Sequence, residues 1–175
     1  RVYASYSGGQ YLRWENPAAG FTYTPISITN FNGSQVSAVT VSPYTANRVF
    51  FGTSAGRIVR VDNAEQAAPT DVNITGPTMT GYANGVIVGS SDQTLMACFS
   101  SYGVTNVWIS TDGGTTWSAC DGNLPNIPVY WGFFVPEDNT KAYIATETGV
   151  WETDQLNGAA TVWTPSPNFP TVRTT

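Results

Sequence analysis

Short apolar runs alternate with polar stretches punctuated by Gly and Pro along the whole chain, and no stretch shows a helical period with caps. The runs are rich in β-branched and aromatic residues, which fit a pleated, half-buried surface, so the pattern predicts an all-β protein. The runs also recur. Strands beginning at Val2 (Val2-Tyr3-Ala4-Ser5-Tyr6), Val49 (Val49-Phe50-Phe51-Gly52-Thr53), Leu95 (Leu95-Met96-Ala97-Cys98-Phe99) and Ala142 (Ala142-Tyr143-Ile144-Ala145-Thr146) start 47, 46 and 47 residues apart. A fixed period of roughly 20 to 50 residues marks an array of like supersecondary units.

Each unit holds further strands around this one. Third strands end on an acid, as in Arg13-Trp14-Glu15, Arg60-Val61-Asp62, Ser110-Thr111-Asp112 and Glu152-Thr153-Asp154. Fourth strands follow as Phe21–Thr24, Val72–Thr75, Thr116–Ser118 and Val162–Thr164, and first strands as Val36–Val41, Gly85–Val88 and Tyr130–Val135. Pro43, Pro136 and Asn139-Thr140 are expected in the turns between first and second strands, since central strands exclude proline. Trp14, Trp108, Trp117, Trp151 and Trp163 recur at matching positions of the units, and repetition of this kind points to packing between units.

The segment Ser110-Thr111-Asp112-Gly113-Gly114-Thr115-Thr116-Trp117 fits every position of Ser-x-Asp-x-Gly-x-Thr-Trp. Gly113-Gly114 supplies the positive φ angles of a tight hairpin, and Asp112 and Ser110 can accept hydrogen bonds from turn amides that no strand reaches. Ser110, Asp112, Gly114, Thr116 and Trp117 therefore read as structural residues. The octapeptide resembles the Asp-box, or BNR repeat, of sialidase-like and related β-propellers. The resemblance implies a β-propeller of four-stranded antiparallel blades, with the box between a blade's third and fourth strands. The phrases Gly149–Asp154 and Thr161–Pro165 resemble, in addition, the propellers of Bacteroidetes proteins exported by the type IX secretion system.

On this reading the blade pieces are 1–30, 31–78, 79–123 and 124–167, with 168–175 as the first strand of a further blade. That makes about three and three-quarter blades, whereas propellers close with roughly 4 to 8, so the chain is expected to be part of a larger propeller. The alternative is closure as four blades by pairing of the two termini.

Composition narrows the partners. Charged residues make up 11% of the chain and the net charge is −5, with seven scattered basic residues, so nucleic acid is not an expected partner. No apolar run is long enough to span a bilayer, so membrane insertion is not expected. Cys98 and Cys120 fall on strands two places apart, about 9.5 Å, beyond the ~7 Å Cα limit of a disulfide, and are expected as free buried thiols.

The chain has no His, which removes Ser-His and Cys-His nucleophile pairs, the usual zinc sites and the commonest general base. Glycoside hydrolysis needs only two carboxylates, and the candidates are Glu147, Glu152 and Asp154, then Asp92, Glu137 and Asp138. None of the arginines sits in the setting of the sialidase arginine triad, and the catalytic acids of xyloglucanase-type enzymes find no match, so no catalytic role carries over. Tyr102, Tyr130 and Trp131, with Tyr44, are candidates for a sugar-stacking surface. The loops at Glu137–Asn139 and Asp71–Asn73 lack the spacing of a calcium loop, and no metal or cofactor is expected.

The expectation is a non-catalytic propeller module of a secreted or surface-attached bacterial protein, acting as scaffold or as a glycan- or protein-binding surface. The alternatives are a fragment of a sialidase- or xyloglucanase-like glycoside hydrolase and a docking partner of the secretion machinery.

Overall fold

The computed structural model describes residues 1–20 and 22–169, and these form four antiparallel sheets in chain order. Sheet 1 holds β1 (Val2–Ser5), β2 (Gln10–Trp14) and β3 (Thr24–Ser27). Sheet 2 holds β4 (Val36–Val41), β5 (Val49–Thr53), β6 (Ile58–Asp62) and β7 (Thr70–Asn73). Sheet 3 holds β8 (Ala83–Val88), β9 (Leu95–Phe99), β10 (Val107–Ser110) and β11 (Ser118–Ala119). Sheet 4 holds β12 (Val129–Val135), β13 (Asp138–Thr146), β14 (Gly149–Thr153) and β15 (Thr164–Pro165). The expected strand at 168–175 lies outside the described residues from 170 onward, and so does Phe21.

The periodic residues hold one post. Val2, Val49, Leu95 and Ala142 pair with Trp14, Val61, Ser110 and Thr153, the same step of the second-to-third-strand ladder in each sheet. The inner strands share a bulge as well, at Ser37, Asn84 and Tyr130. Such a bulge turns one side chain out of the ladder. Ser37 Oγ then donates to the carbonyl of Ala83, and Asn84 Nδ2 to that of Tyr130 (2.7 Å), linking each inner strand to the next.

Every hydrophobic core lies between sheets, because alternate residues of a strand point to opposite faces. Tyr11, Ile26 and Phe31 meet Val49, Phe51, Val59 and Val61 between sheets 1 and 2. Phe50 and Ile58 meet Leu95, Ala97 and Trp108 between sheets 2 and 3. Met96, Cys98, Val107 and Cys120 meet Phe134, Ala142, Ile144 and Trp163 between sheets 3 and 4. β5 and β9 are covered on both faces and buried at every residue, which is why they read as unbroken apolar runs.

The tryptophans form two repeated pairs rather than one set of five. Trp108 and Trp151 stand opposite Ala97 and Ile144, and each indole N–H bonds the residue three positions before it. Trp117 and Trp163 reach back one sheet, donating to the carbonyls of Ile74 (2.7 Å) and Cys120 (2.8 Å). Trp14 falls outside both pairs: Leu12 holds the post of Trp108, and the Trp14 indole bonds Gly20 O within its own sheet. In sheet 2 the post of Trp117 belongs to Asp71, whose carboxylate accepts from the Asn30 amide (3.0 Å) and makes the tie in the opposite sense.

Two expectations shift. Three outer strands begin later than the pattern predicts, at Thr24, Ser118 and Thr164, and β7 begins two residues earlier, at Thr70; before Ser118 and Thr164 side chains capture the amides, as Thr116 N donates to Asp112 Oδ1 and Trp163 N to Asn123 Oδ1. Asn139 and Thr140 lie in β13, not in a turn, since Pro136-Glu137 alone reverses the chain with Glu137 at φ 67°. Cys98 and Cys120 are free and buried, with Cys120 just past β11.

Candidate functional site

The 110–117 turn is closed by its own side chains. Ser110 Oγ donates to Asp112 Oδ1 and accepts from Gly114 N (2.8 Å). Asp112 Oδ1 accepts Thr116 N (2.8 Å), and its Oδ2 accepts Thr116 Oγ1 (2.6 Å). The bonds from Thr116, with those from Ser110 and Thr115 behind them, hold the Asp112 carboxyl at about 2. That carboxylate is occupied by the turn. Gly113 and Gly114 take φ 72° and 89°, and a Cβ on Gly114 would lie 2.8 Å from the Ile74 side chain of sheet 2.

Most of the remaining acids are also engaged. Asp92 accepts Ser42 Oγ, Thr45 Oγ1 and Arg48 Nη1 (3.0 Å), while Arg48 Nε meets Asp62, which also takes Arg60. Burial opposes ionisation of Asp92, but these bonds outweigh it and its carboxyl sits below the usual range. The network clamps the β4–β5 turn to the β8–β9 turn. Asp121 accepts Asn106 N and Val107 N, and burial pushes its carboxyl up against those bonds. Asp138 accepts from Thr140, and Asp71 from Asn30.

Glu152 and Asp154 line one groove of about 270 Å³ on the outer half of sheet 4, with Asn157 and Thr164. Asp154 projects into solvent near Lys141. Glu147 is elsewhere, in the turn after β13, so the three candidate acids do not form one site.

Three of the four aromatic candidates lie on one rim. Antiparallel pairing puts the start of each first strand beside the end of each second strand, so Tyr82, Tyr102, Tyr130, Trp131 and Glu147 share that edge of sheets 3 and 4. Tyr102 is 61% exposed and its hydroxyl donates to Glu147 Oε2, which bridges sheet 3 to sheet 4. Tyr82, 41% exposed, is fixed beside it: Tyr82 N donates to Ser101 Oγ (3.0 Å), and Ser100 N to Tyr82 O (2.9 Å). Gly103 N donates to Asn126 Oδ1 (2.6 Å), which ties the Tyr102 loop to the approach to β12. Tyr130 is half-buried, and Trp131 turns from this group to line an apolar cavity of about 410 Å³ with Phe133 and Tyr143. Tyr44, the remaining aromatic candidate, lies on the opposite rim and donates its hydroxyl to Gly89 O (2.8 Å). Tyr82 was not singled out from the sequence, although its place just before a first strand, across the hairpin from Tyr102, was a usable signal.

Among the described residues no group of three or more His, Cys, Asp or Glu is gathered as a metal site. No helix there is long and apolar enough to cross a membrane.

Four-stranded antiparallel meanders, packed face to face in sequence order and tied by a repeated tryptophan, define a β-propeller fold. Solved structures share it. The chain is similar to a GH74 enzyme from Niastella koreensis (TM-score 0.60, 21% identity, 90% of this chain and 26% of that one). It is similar also to YCF48 from Cyanidioschyzon merolae (0.60, 16%, 82% and 44%) and to a GH74 xyloglucanase from Xanthomonas campestris (0.58, 13%, 97% and 33%). The chain thus spans between about a quarter and under half of those proteins, at identities that speak for the fold alone. No family model matches the sequence, and no curated protein matches it.

Proposed function

We propose that this chain is a non-catalytic propeller module that binds glycan through the rim of Tyr82 and Tyr102. The observation that carries the reading is the pair of exposed tyrosines fixed by backbone bonds, with the Glu147 carboxylate held against the Tyr102 hydroxyl. Flat rings at fixed positions suit the apolar faces of pyranose sugars, and a carboxylate beside them accepts sugar hydroxyls. The Asp-box likeness of Ser110–Trp117 and the likeness to exported Bacteroidetes propellers support a secreted or surface-attached bacterial protein, with type IX secretion components among its partners. A glycan array, followed by calorimetry on the best ligand, tests the reading. Binding that falls at least tenfold in Tyr102→Ala supports it, and binding indifferent to Tyr102 and Tyr82 contradicts it.

A second reading, glycoside hydrolysis, rests on Glu152 and Asp154 lining one groove and on the GH74 enzymes among the similar structures. Its test is turnover of chromogenic glycosides that Glu152→Gln or Asp154→Asn removes.

A further inference from the structure

Arg57 stands apart from the other basic side chains. Arg1 and Arg13 meet Glu15, Arg48 meets Asp62 and Asp92, Arg60 shares Asp62, and Lys141 lies 3.8 Å from Asp138. Among the described residues Arg57 alone has no carboxylate partner. Its backbone is fixed all the same, since Arg57 N donates to Thr53 Oγ1 (3.0 Å) and Thr53 N to Arg57 O (3.0 Å).

Arg57 is half-buried and lines a groove of about 320 Å³ with Ala55, Asn73, Thr75, Gly76 and Met79. No acidic side chain lines it. Asn73 Oδ1 is taken by Thr75 N (3.1 Å) and Thr75 Oγ1, which leaves the Asn73 Nδ2 donor uncommitted among the described residues. A guanidinium fork and an amide donor with no facing acid suit an anion, and the planar fork matches a carboxylate through two parallel bonds.

The groove belongs to the rim of the tyrosines. Arg57, Tyr102 and Glu147 sit in the turns between second and third strands of sheets 2, 3 and 4, which the ladders place at one edge. Gly56 packs so closely on the approach to Tyr82 that a Cβ on it would lie 2.6 Å from Gly81 O. Stacked sheets lie about 10 Å apart, so the posts of Arg57 and Glu147 are separated by about 20 Å, roughly two Debye lengths at physiological salt. A negative group at Arg57 is therefore screened from Glu147.

We propose, resting on the glycan-binding reading of this rim, that it selects acidic glycans. A uronic acid carboxylate occupies the Arg57 groove while neighbouring sugar rings lie over Tyr82 and Tyr102. The net charge of −5 disfavours any anion, so the selection depends on Arg57 itself.

Calorimetry tests this with oligogalacturonate, oligomannuronate and oligoglucuronate, each against its own methyl ester, which removes the charge and keeps the backbone. The wild-type chain is expected to bind at least one acid about tenfold more tightly than its ester, the scale of a charge-assisted pair of bonds. That preference is expected to shrink as salt rises from about 50 to 500 mM. Arg57→Gln is expected to abolish or reverse it, whereas Tyr102→Ala weakens acid and ester alike. Should Arg57→Gln not fold, Asn73→Asp, which sets a carboxylate into the groove beside Arg57, is the substitute, and an unchanged preference in it counts against the proposal. Equal affinity for acids and esters in the wild type, a preference indifferent to salt, or one that survives in Arg57→Gln overturns the proposal and leaves glycan binding standing. Failure to bind any of the six also overturns it, and the glycan array then decides the broader reading separately.

Discussion

Asp112 shows how much one short side chain can hold in place. Its two oxygens fix Thr116 and Ser110, and this arrangement delivers Trp117 to the carbonyl of Ile74 one sheet away. Because the bonds lower its folded pKa to about 2 from an ordinary carboxylate value of 3.8, its contribution to stability is complete above 3.8 and lost as the pH falls through about 2. Asp112→Asn is therefore expected to flatten the acid limb of the stability curve, measured by urea unfolding between neutral and low pH. Gly114→Ala combines a positive φ with a collision at Ile74, and calorimetry is expected to show a loss of about 2 kcal/mol. The sequence made these residues legible because each position of the turn demands one residue type. It did not expose the Tyr82–Tyr102–Glu147 group, whose members meet only through strand pairing and a loop bond.

Among elements, the inner strands were the readable ones. β4, β5 and β9 occupy the residues expected of them, and β5 and β9, buried at every residue, read as near-continuous apolar runs. The outer strands drifted by up to three residues, because their amides are captured by Asp112 and Asn123 and their edge position admits Pro25 and Pro165. Turns bind elements as firmly as strands do. The Arg48–Asp92 pair joins two neighbouring sheets with Asp92 at 7% exposure, so Asp92→Ala, which leaves Arg48 without that partner, is expected to cost about 3 kcal/mol in chemical unfolding. The lowered pKa of Asp92 gives the same sign with acid as Asp112: its contribution is present above the ordinary carboxylate value and is lost as the pH falls below it.

Across the whole molecule, no sheet owns a core; each core is shared by two sheets. An excised single sheet, residues 36–75, is accordingly expected to show no cooperative thermal transition by circular dichroism, whereas the full chain unfolds cooperatively. The array was legible from its period alone, while the function was not, because a repeat records what packs against its neighbours and says little about a rim. The most direct test of the tandem-sheet account is proton NMR of the tryptophan indoles. If each sheet is tied to the one before it, the Nε1 protons of Trp117 and Trp163 exchange slowly with solvent and show nuclear Overhauser contacts to Ile74 and Cys120. Rapid exchange of both, with neither contact, would contradict it.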